Sequence, residues 1–343
     1  FETLRRLAAE GCSILYISHK LDEIRALCHR ATVLRGGRVT GECDPRHESA
    51  AALARMMIGG DLPHPRRRSD SAPGAAALVV SGLTLAAEAP FGTALHDVSL
   101  AVRAGEIVGI AGVSGNGQAE LLAALSGERR VADPAAVVVA GTPAGRRAAG
   151  ERRALGLAFV PEDRLGRGAV PEMSLAENAL LTAHRQGLAA GGFVRAGAVR
   201  AFAAATIAAF QVKAGGPDAV ARSLSGGNLQ KFIVGREIRQ RPGVLIAAQP
   251  TWGVDVGAAA QIRQALVDLR DAGVAVLVVS EELDELLELC DRIAVIAQGR
   301  LSAPEPTAGT SPDAIGLLMG GAFIAPGAHG ARQFSPAGAI GAD

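Results

Sequence analysis

The chain has 343 residues, of which 49% are apolar, and its 35 basic and 34 acidic residues leave a net charge of +1. This length provides one large or two modest globular domains. The balanced charge gives no sign of a nucleic-acid partner, which usually needs a clustered basic face. Aromatic residues make up only 3% of the chain, and the four cysteines contain no CxxC pair, so base-stacking surfaces, zinc ribbons and redox dithiols are all disfavoured. We therefore expect neither a nucleic-acid partner nor a metal held by a side-chain cluster.

The first predicted element is a strand–helix–strand unit that occurs twice. Residues 17–39 (ISHKLDEIRALCHRATVLRGGRV) align without a gap with residues 279–301 (VSEELDELLELCDRIAVIAQGRL). Two copies so far apart do not form a solenoid, whose period is about 20–50 residues, and they predict two homologous domains. A chance match is the alternative, which the ungapped polar identities disfavour. Because so little chain precedes the first copy, we expect the sequence to begin inside its first domain. The identical pairs include Ser18/Ser280, Asp22/Asp284, Glu23/Glu285, Cys28/Cys290 and Arg30/Arg292.

Composition predicts the domain boundaries. The stretch HPRRRSDSAPGAAA at residues 64–77 has no periodicity and is typical of a linker. We expect an end portion of a first domain at 1–60, a linker at 61–77, a complete second domain at 78–302 and a flexible tail at 303–343.

A glycine-rich turn follows a buried strand in EIVGIAGVSGNGQAEL, residues 106–121. A strand–loop–helix of this kind directs backbone N–H groups and the positive helix end toward an anion. Gly112 and Gly117 have the spacing of the phosphate loop G-x-x-x-x-G-K-[ST], and Gly115 permits close approach of the backbone. The positions of the phosphate-binding lysine and the Mg²⁺-binding hydroxyl hold Gln118 and Ala119 instead. The loop alone also fits a tight turn without a ligand.

Two further motifs follow in chain order. SLSGGNLQK at residues 223–231 places Ser225–Gly227 at the start of a helix, where backbone donors and a hydroxyl would face an anion; a Ser-capped helix is the alternative. The apolar run at 244–247 predicts a buried strand. In a phosphate-loop nucleotidase this strand ends in an aspartate that binds magnesium, and in several ATPases a glutamate that activates water follows. Here those positions hold Ala248 and Gln249.

The strand in VLVVSEELDE, residues 276–285, ends at Glu281, where the first copy has His19. A lone histidine is more often a loop or capping residue than a catalytic one. The strand-end position of His19 and its alignment with Glu281 favour a functional role for both.

The ordered set of phosphate loop, LSGGN, strand–xxPT, GxDxG and strand–S[H/E] resembles an ATP-binding cassette (ABC) domain. With VPEDR at 160–164 and a degenerate second half, the chain is similar to the tandem energising subunit of simple-sugar and nucleoside importers over about residues 1–302. The resemblance implies an α/β fold of the P-loop NTPase type, with a mostly parallel sheet, an antiparallel β edge and a helical lobe at 162–222. The stretches that favour the nucleoside-type branch are GNGQ (115–118), AAQPT (247–251) and EELDE (281–285).

The resemblance also implies ATP and Mg²⁺ as ligands, with two cassettes meeting head to tail. One site would use the first cassette's phosphate loop, expected before Phe1, with His19 as a catalytic residue and closed by Ser225–Gly227. The other site would be degenerate, binding nucleotide weakly and turning over little. The expected nucleotide-contacting residues of the two sites are Gly112, Gly115, Asn116, Gly117, Gln118, Ala119, Glu162, Ser225, Gly226, Gly227, Asn228, Gln249, Asp255 and Glu281.

The family further implies partners and a location. We expect transmembrane permease subunits, a substrate-binding protein reached through them, and a peripheral position on the cytoplasmic face of the cell membrane. The full-length protein would hydrolyse ATP, whereas this chain by itself would be nearly inactive. Trp252 departs from the pattern, because the family commonly has arginine there.

Three other functions are alternatives. A tandem cassette acting on nucleic acid or ribosomes would need a basic linker, and the only basic run is Arg66–Arg68. A catalytically dead regulatory cassette would be compatible with the lost lysine and carboxylates. A dehydrogenase is disfavoured, because no acidic residue ends a second strand about 20 residues after the glycine loop.

Overall fold

The computed structural model describes residues 1–18, 20–35, 37–59, 65–66, 72–88, 90 and 92–323. His19 and about half of the predicted linker at 61–77 lie outside these residues. Within the described ranges, no helix combines the length and the hydropathy needed to cross a bilayer.

The N-terminal segment, residues 1–59, contains three helices and a hairpin. An extended stretch at residues 12–18 belongs to no helix or strand, and its Leu15 and Ile17 side chains are each 90% exposed. The elements are α1 (Glu2–Ala9), α2 (Leu21–Leu27), β1 (Ala31–Arg35), β2 (Arg38–Cys43) and α3 (Ala50–Ile58).

The remaining described residues form one α/β unit. Its strands are β3 (Ala76–Leu85), β4 (Leu95–Arg103), β5 (Ile107–Ala111), β6 (Val137–Val139), β7 (Thr142–Pro143), β8 (Leu157–Val160), β9 (Ala189–Ala190), β10 (Phe193–Val194), β11 (Val244–Ala248), β12 (Ala275–Ser280), β13 (Arg292–Ala297), β14 (Arg300–Leu301) and β15 (Glu305–Pro306). Its helices are α4 (Gln118–Ser126), α5 (Ala149–Ala154), α6 (Leu175–Ala183), α7 (Ala196–Ala209), α8 (Gly226–Ile238), α9 (Val256–Asp271), α10 (Leu283–Leu289) and α11 (Pro312–Met319).

Two sheets organise this unit. The central sheet has the order β14-β13-β5-β12-β11-β8, in which β13, β5, β12, β11 and β8 run parallel and the short β14 and β15 pair antiparallel with β13. Strands β5, β11 and β12 are buried along their whole length, as expected of parallel strands covered on both faces. The second sheet is antiparallel, with the order β4-β3-β6-β7.

Each face of the central sheet packs against its own layer. One core joins the sheet to the antiparallel strands and to α4, through residues such as Leu121 and Leu125. The other core joins it to a group of helices, with Phe232 and Ile233 among its fully buried side chains. The predicted α/β fold, with a mostly parallel sheet, an antiparallel β layer and a group of helices, is thereby confirmed.

The sequence repeat recurs as local structure. Helices α2 and α10 begin at equivalent positions of the two copies. In the first copy the Ser18 hydroxyl donates to Glu23 Oε2 at 3.0 Å, and in the second the Ser280 hydroxyl donates to Glu285 Oε2 at 2.7 Å. The two copies thus share this hydrogen bond as well as their residues.

The two copies of the repeat differ in how deeply their first residues are buried. Residues 275–280 form the fully buried strand β12 between β5 and β11. The aligned residues of the first copy include the exposed Leu15 and Ile17, which have no such sheet around them in the described residues.

The segment after residue 302 differs from the flexible tail that its composition predicts. Strand β15 pairs with β13, α11 packs against β13, and Ile315 is only 1% exposed. Ser311 caps α11 by accepting a hydrogen bond from the Ala314 N–H at 3.2 Å. Residues 303–323 are therefore part of the packed unit, and residues 324–343 lie outside the described residues.

Candidate functional site

A cavity of about 280 Å³ opens where β5, β11 and β12 end. It brings together eight of the predicted site residues, although they come from four separate stretches of the chain. Those eight are Gly112, Gly115, Gly117, Gln118, Ala119, Glu162, Gln249 and Glu281. Further lining residues are Thr93, Ser114, Glu120, Leu122, Ala248, Val279 and Ser280.

The loop between β5 and α4 requires its glycines. Gly115 and Gly117 have φ values of +84° and +110°, which L side chains rarely adopt. A Cβ on Gly112 would lie 2.7 Å from the Ile296 carbonyl oxygen, and one on Gly117 would lie 3.2 Å from the Gly299 Cα. The loop therefore packs closely against the turn after β13. The first turn of α4 borders the cavity, and the N–H groups of a first helical turn have no partner within their helix.

The side chain of Gln118 folds back onto this loop. Its Oε1 accepts a hydrogen bond from the Asn116 N–H at 3.0 Å, and its Nε2 donates to the Val113 carbonyl at 2.9 Å. A lysine at this position could make only the second of these bonds, because its ammonium group has no acceptor. Gln118 thus stabilises the loop from within and occupies one N–H that an anion could otherwise use.

Asn116 does not line the cavity but holds the loop in place. Its Oδ1 accepts from the Gln298 N–H at 2.8 Å, and its backbone carbonyl accepts from the Gly299 N–H at 2.9 Å. These bonds position the loop, and the nucleotide contact of Asn116 stays a prediction.

Thr93 and Glu120 are lining residues that sequence reasoning missed. The Thr93 hydroxyl donates to the Gly115 carbonyl at 2.7 Å, and the Glu120 carboxylate accepts from the Thr93 N–H at 2.8 Å. Glu120 could have been predicted from the sequence, because it lies two residues after Gln118 in the first turn of α4. Thr93 could not, because it is distant in sequence and only tertiary folding brings it to the loop.

The cavity is acidic. Glu120, Glu162 and Glu281 line it, and none of its described lining residues is lysine, arginine or histidine. Burial raises the pKa of the Glu162 carboxyl, and the nearby negative charges of Glu281 and Asp163 raise it further. A phosphate group would meet backbone N–H donors here but also the repulsion of these carboxylates.

A buried polar network closes the back of the cavity. Gln249 is only 8% exposed and has a left-handed φ of +47°, and its Oε1 accepts from the Glu281 N–H at 3.3 Å. Behind it, the hydroxyls of Thr251 and Ser280 donate to the Glu285 carboxylate at 2.6 and 2.7 Å. Burial raises the pKa of Glu285 despite these bonds, which favour the charged form.

The residues of the SGG motif lie elsewhere. Ser225 and Gly226 are exposed at the start of α8 and do not line the cavity. The Ser225 side chain does not cap the helix; its Oγ accepts from the Asn228 side-chain amide at 2.9 Å. Asp255 caps α9 by accepting from the Ala258 N–H at 2.9 Å. The predicted nucleotide contact of the SGG turn is therefore not made at this cavity.

Arg164, which follows Glu162 by two residues, contacts both Trp252 and the SGG turn. Its guanidinium donates to the Trp252 carbonyl and lies 5.7 Å from the centre of the Trp252 ring. A Cβ on Gly226 would lie 2.5 Å from Arg164 Nη1, so the guanidinium contacts the SGG turn. Trp252, the departure noted in the sequence, therefore packs against Arg164.

The predicted catalytic residue His19 lies outside the described residues, so its role stays a prediction. Among the described residues, no group of three or more histidine, cysteine, aspartate or glutamate side chains has an arrangement that could hold a metal ion.

Comparison with known proteins gives a consistent result. Residues 95–252 match the family described as ABC transporter. A glucose import ATP-binding protein of Haloferax volcanii is 40% identical over 335 residues, covering 97% of this chain and 60% of the relative. A guanosine import ATP-binding protein of Bacillus subtilis is 39% identical over 321 residues, covering 93% of this chain and 62% of the relative. The chain thus spans between 60% and 62% of the length of these two relatives.

The fold is also that of solved structures. The structure of an ATP-binding subunit of an ABC transporter matches with a TM-score of 0.58 at 20% identity, covering 71% of this chain and 99% of that one. A nucleotide-free ATP-binding cassette from an ABC transporter matches with a TM-score of 0.55 at 20% identity, covering 68% and 92%. The matched part of the chain therefore has the ABC cassette fold.

Proposed function

We propose that the chain, whose residues 95–252 match the ABC transporter family, is part of an importer's ATP-binding subunit. That subunit couples the binding and hydrolysis of ATP, with Mg²⁺, to the uptake of a simple sugar or nucleoside across the cytoplasmic membrane. The observation that carries this proposal is the cavity at the β5–α4 loop, where backbone donors and a helix N-terminus face a space bordered by Glu162, Gln249 and Glu281.

The cavity itself is a degenerate nucleotide site in this proposal. Gln118 and Ala119 replace the lysine and the hydroxyl, while Ala248 and Gln249 replace the carboxylates that would bind magnesium and activate water. Nucleotide binding then depends on backbone N–H groups working against three carboxylates. Weak binding with little turnover follows from this balance.

The two copies of the repeat suggest two cassettes. Residues 1–60 correspond in this proposal to the end portion of a first cassette, and residues 78–302 to the second. The shared hydrogen bonds of Ser18 and Ser280 support this, as does the contact of α3 with α9. The Ser225–Gly227 turn would close the first cassette's site, where His19 would act on the nucleotide.

The partners follow from the importer proposal. Permease subunits would contact the helical lobe at 162–222, and a substrate-binding protein would act through them. The subunit would then lie on the cytoplasmic face of the membrane. The relatives described above are named as glucose and guanosine import proteins, which is why both solute classes are retained.

Nucleotide binding to the chain tests this proposal. A fluorescent ATP analogue is titrated with and without Mg²⁺, alongside a phosphate-release assay. We expect weak binding that depends little on Mg²⁺ and no measurable turnover. Robust Mg²⁺-dependent hydrolysis would contradict the degenerate site, and complete absence of binding would contradict the nucleotide-binding proposal itself.

A charge variant shows whether binding occurs in this cavity. Ala119 is an exposed lining residue in the first turn of α4, where a glutamate is favourable for the helix but repels phosphate. Ala119→Glu should therefore abolish binding without loss of stability. Ala204→Glu, at an exposed position of α7, is the matched control and should bind as the parent does.

A further inference from the structure

One ion pair joins the two copies of the repeat at matching positions. Lys20 Nζ lies 4.0 Å from Glu282 Oε1, and these residues occupy the same place in the gapless alignment of 17–39 with 279–301. Each directly precedes a helix, with φ/ψ values of −83°/106° and −86°/102°. The two copies therefore contact each other at equivalent residues, each of which directly precedes its copy's helix.

Contact between equivalent positions is a feature of twofold symmetry, in which a residue near the axis meets its own counterpart. At such a position, two identical charged residues would repel each other, whereas a lysine and a glutamate attract. We propose that Lys20 and Glu282 form a charge-selective contact that favours pairing of the unlike copies and disfavours pairing of two second copies. This proposal rests on the two facing cassettes proposed above.

The surrounding charges strengthen the difference between the two pairings. Lys20 also lies 4.0 Å from Glu23 of its own copy. The second copy has Glu281 beside Glu282, so two second copies meeting here would bring four carboxylates together. The side chains of Lys20 and Glu282 are 54% and 34% exposed, so solvent screens the attraction and the pair itself contributes modestly. Selectivity comes from the contrast between attraction and repulsion.

Carbodiimide cross-linking tests the contact directly, because this reagent joins an amine to a carboxylate that touches it. The chain has only three lysines, Lys20, Lys213 and Lys231, so peptide mass spectrometry of the product is easily interpreted. We expect Lys20 linked to Glu23 and also to Glu282 within one chain. The exposed Lys213 reports background linking. Linkage of Lys20 to Glu23 without any to Glu282 would overturn the proposal.

Charge reversal tests the selectivity of the pairing. Glu282→Lys and Lys20→Glu each create a like-charged contact, and the double variant restores an unlike pair. Amide hydrogen exchange in α2 should be about two- to fivefold faster in each single variant and return toward the parent rate in the double. Glu172→Lys, which changes an exposed charge paired with Arg222, is the control.

Additive effects in the double variant would show that the two side chains do not interact, and would refute the charge-selective contact. Neither experiment uses nucleotide. A failure to bind nucleotide therefore bears on the proposed function, whereas a missing cross-link with normal nucleotide binding bears only on this contact.

Discussion

Replacing Gln118 by lysine tests whether the missing positive charge limits nucleotide binding in the cavity. The substitution removes the bond that Gln118 Oε1 accepts from Asn116 and weakens the one that its Nε2 donates to Val113, which are 3.0 and 2.9 Å long. Each such bond contributes about 0.5–1.5 kcal/mol to stability. The free energy of unfolding should therefore fall by about 1–2 kcal/mol.

The gain in affinity follows from electrostatics. Opposite unit charges about 4 Å apart attract by roughly 4 kcal/mol at an effective dielectric constant near 20. The carboxylates of Glu120, Glu162 and Glu281 line the same cavity and would offset part of this attraction by neutralising the new charge. We expect a net gain of about 1.4 kcal/mol, or roughly tenfold tighter binding of the nucleotide.

The assay is the titration with a fluorescent ATP analogue, and Gln118→Met is its matched control. Methionine also loses the hydrogen bonds of Gln118 but adds no charge, so the difference between the two variants isolates the charge. Phosphate release should not appear in either, because Ala248 and Gln249 remain in place. Equal affinities for the lysine and methionine variants would refute the electrostatic reasoning.

Three further changes test other parts of the site. Nucleotide should bind more tightly as pH falls through the raised pKa of Glu162, because protonation removes a negative charge from the cavity. Glu162→Gln should bind nucleotide more tightly than the parent, and its affinity should depend less on pH. An unchanged pH dependence of the affinity would contradict this. Arg152 is fully buried and donates to the Leu125 and Gly145 carbonyls at 2.9 and 3.0 Å. Arg152→Ala should therefore lower the free energy of unfolding, measured by chemical denaturation, by about 3 kcal/mol. A loss near zero would show that these carbonyls find other donors. Burial raises the pKa of Glu285 above its usual value of 4.5. The folded state should therefore lose stability as pH rises from 4.5 through the raised pKa, because folding then holds a charged carboxylate in a buried place. Glu285→Gln should remove this pH dependence, and parallel curves of unfolding free energy against pH for parent and variant would contradict the prediction.

The sequence predicted those parts of the fold that local patterns encode. The apolar run ending at Ala111, the glycines of the loop and the helical run after Gln118 all appear in the structure as β5, the turn and α4. Parallel strands buried on both faces leave continuous apolar runs, which is why β11 and β12 were recognisable. The position of Thr93 was not, because its contact with Gly115 depends on how two sheets meet.

The segment after residue 302 shows how composition can mislead. Its alanines, glycines and prolines predicted a tail, yet it contains β15 and α11. The repeat carried the missing signal: Ser49 caps α3 through the Ala52 N–H at 3.1 Å, as Ser311 caps α11 through the Ala314 N–H at 3.2 Å. Extending the gapless alignment beyond residue 301 places Ser311 opposite Ser49, and serine is a common residue at the start of a helix.

The loop at 112–118 keeps its glycines for reasons that do not require a phosphate. Gly117 packs against Gly299, and Asn116 binds the N–H groups of Gln298 and Gly299. A side chain at Gly117 would push this turn away from the loop whether or not a nucleotide is bound. Gln118 adds the hydrogen bonds that let the loop hold its shape without a ligand. The glycines therefore indicate how the loop packs, while in the proposed function the side chains at 118, 119, 248 and 249 would set what the cavity binds and hydrolyses.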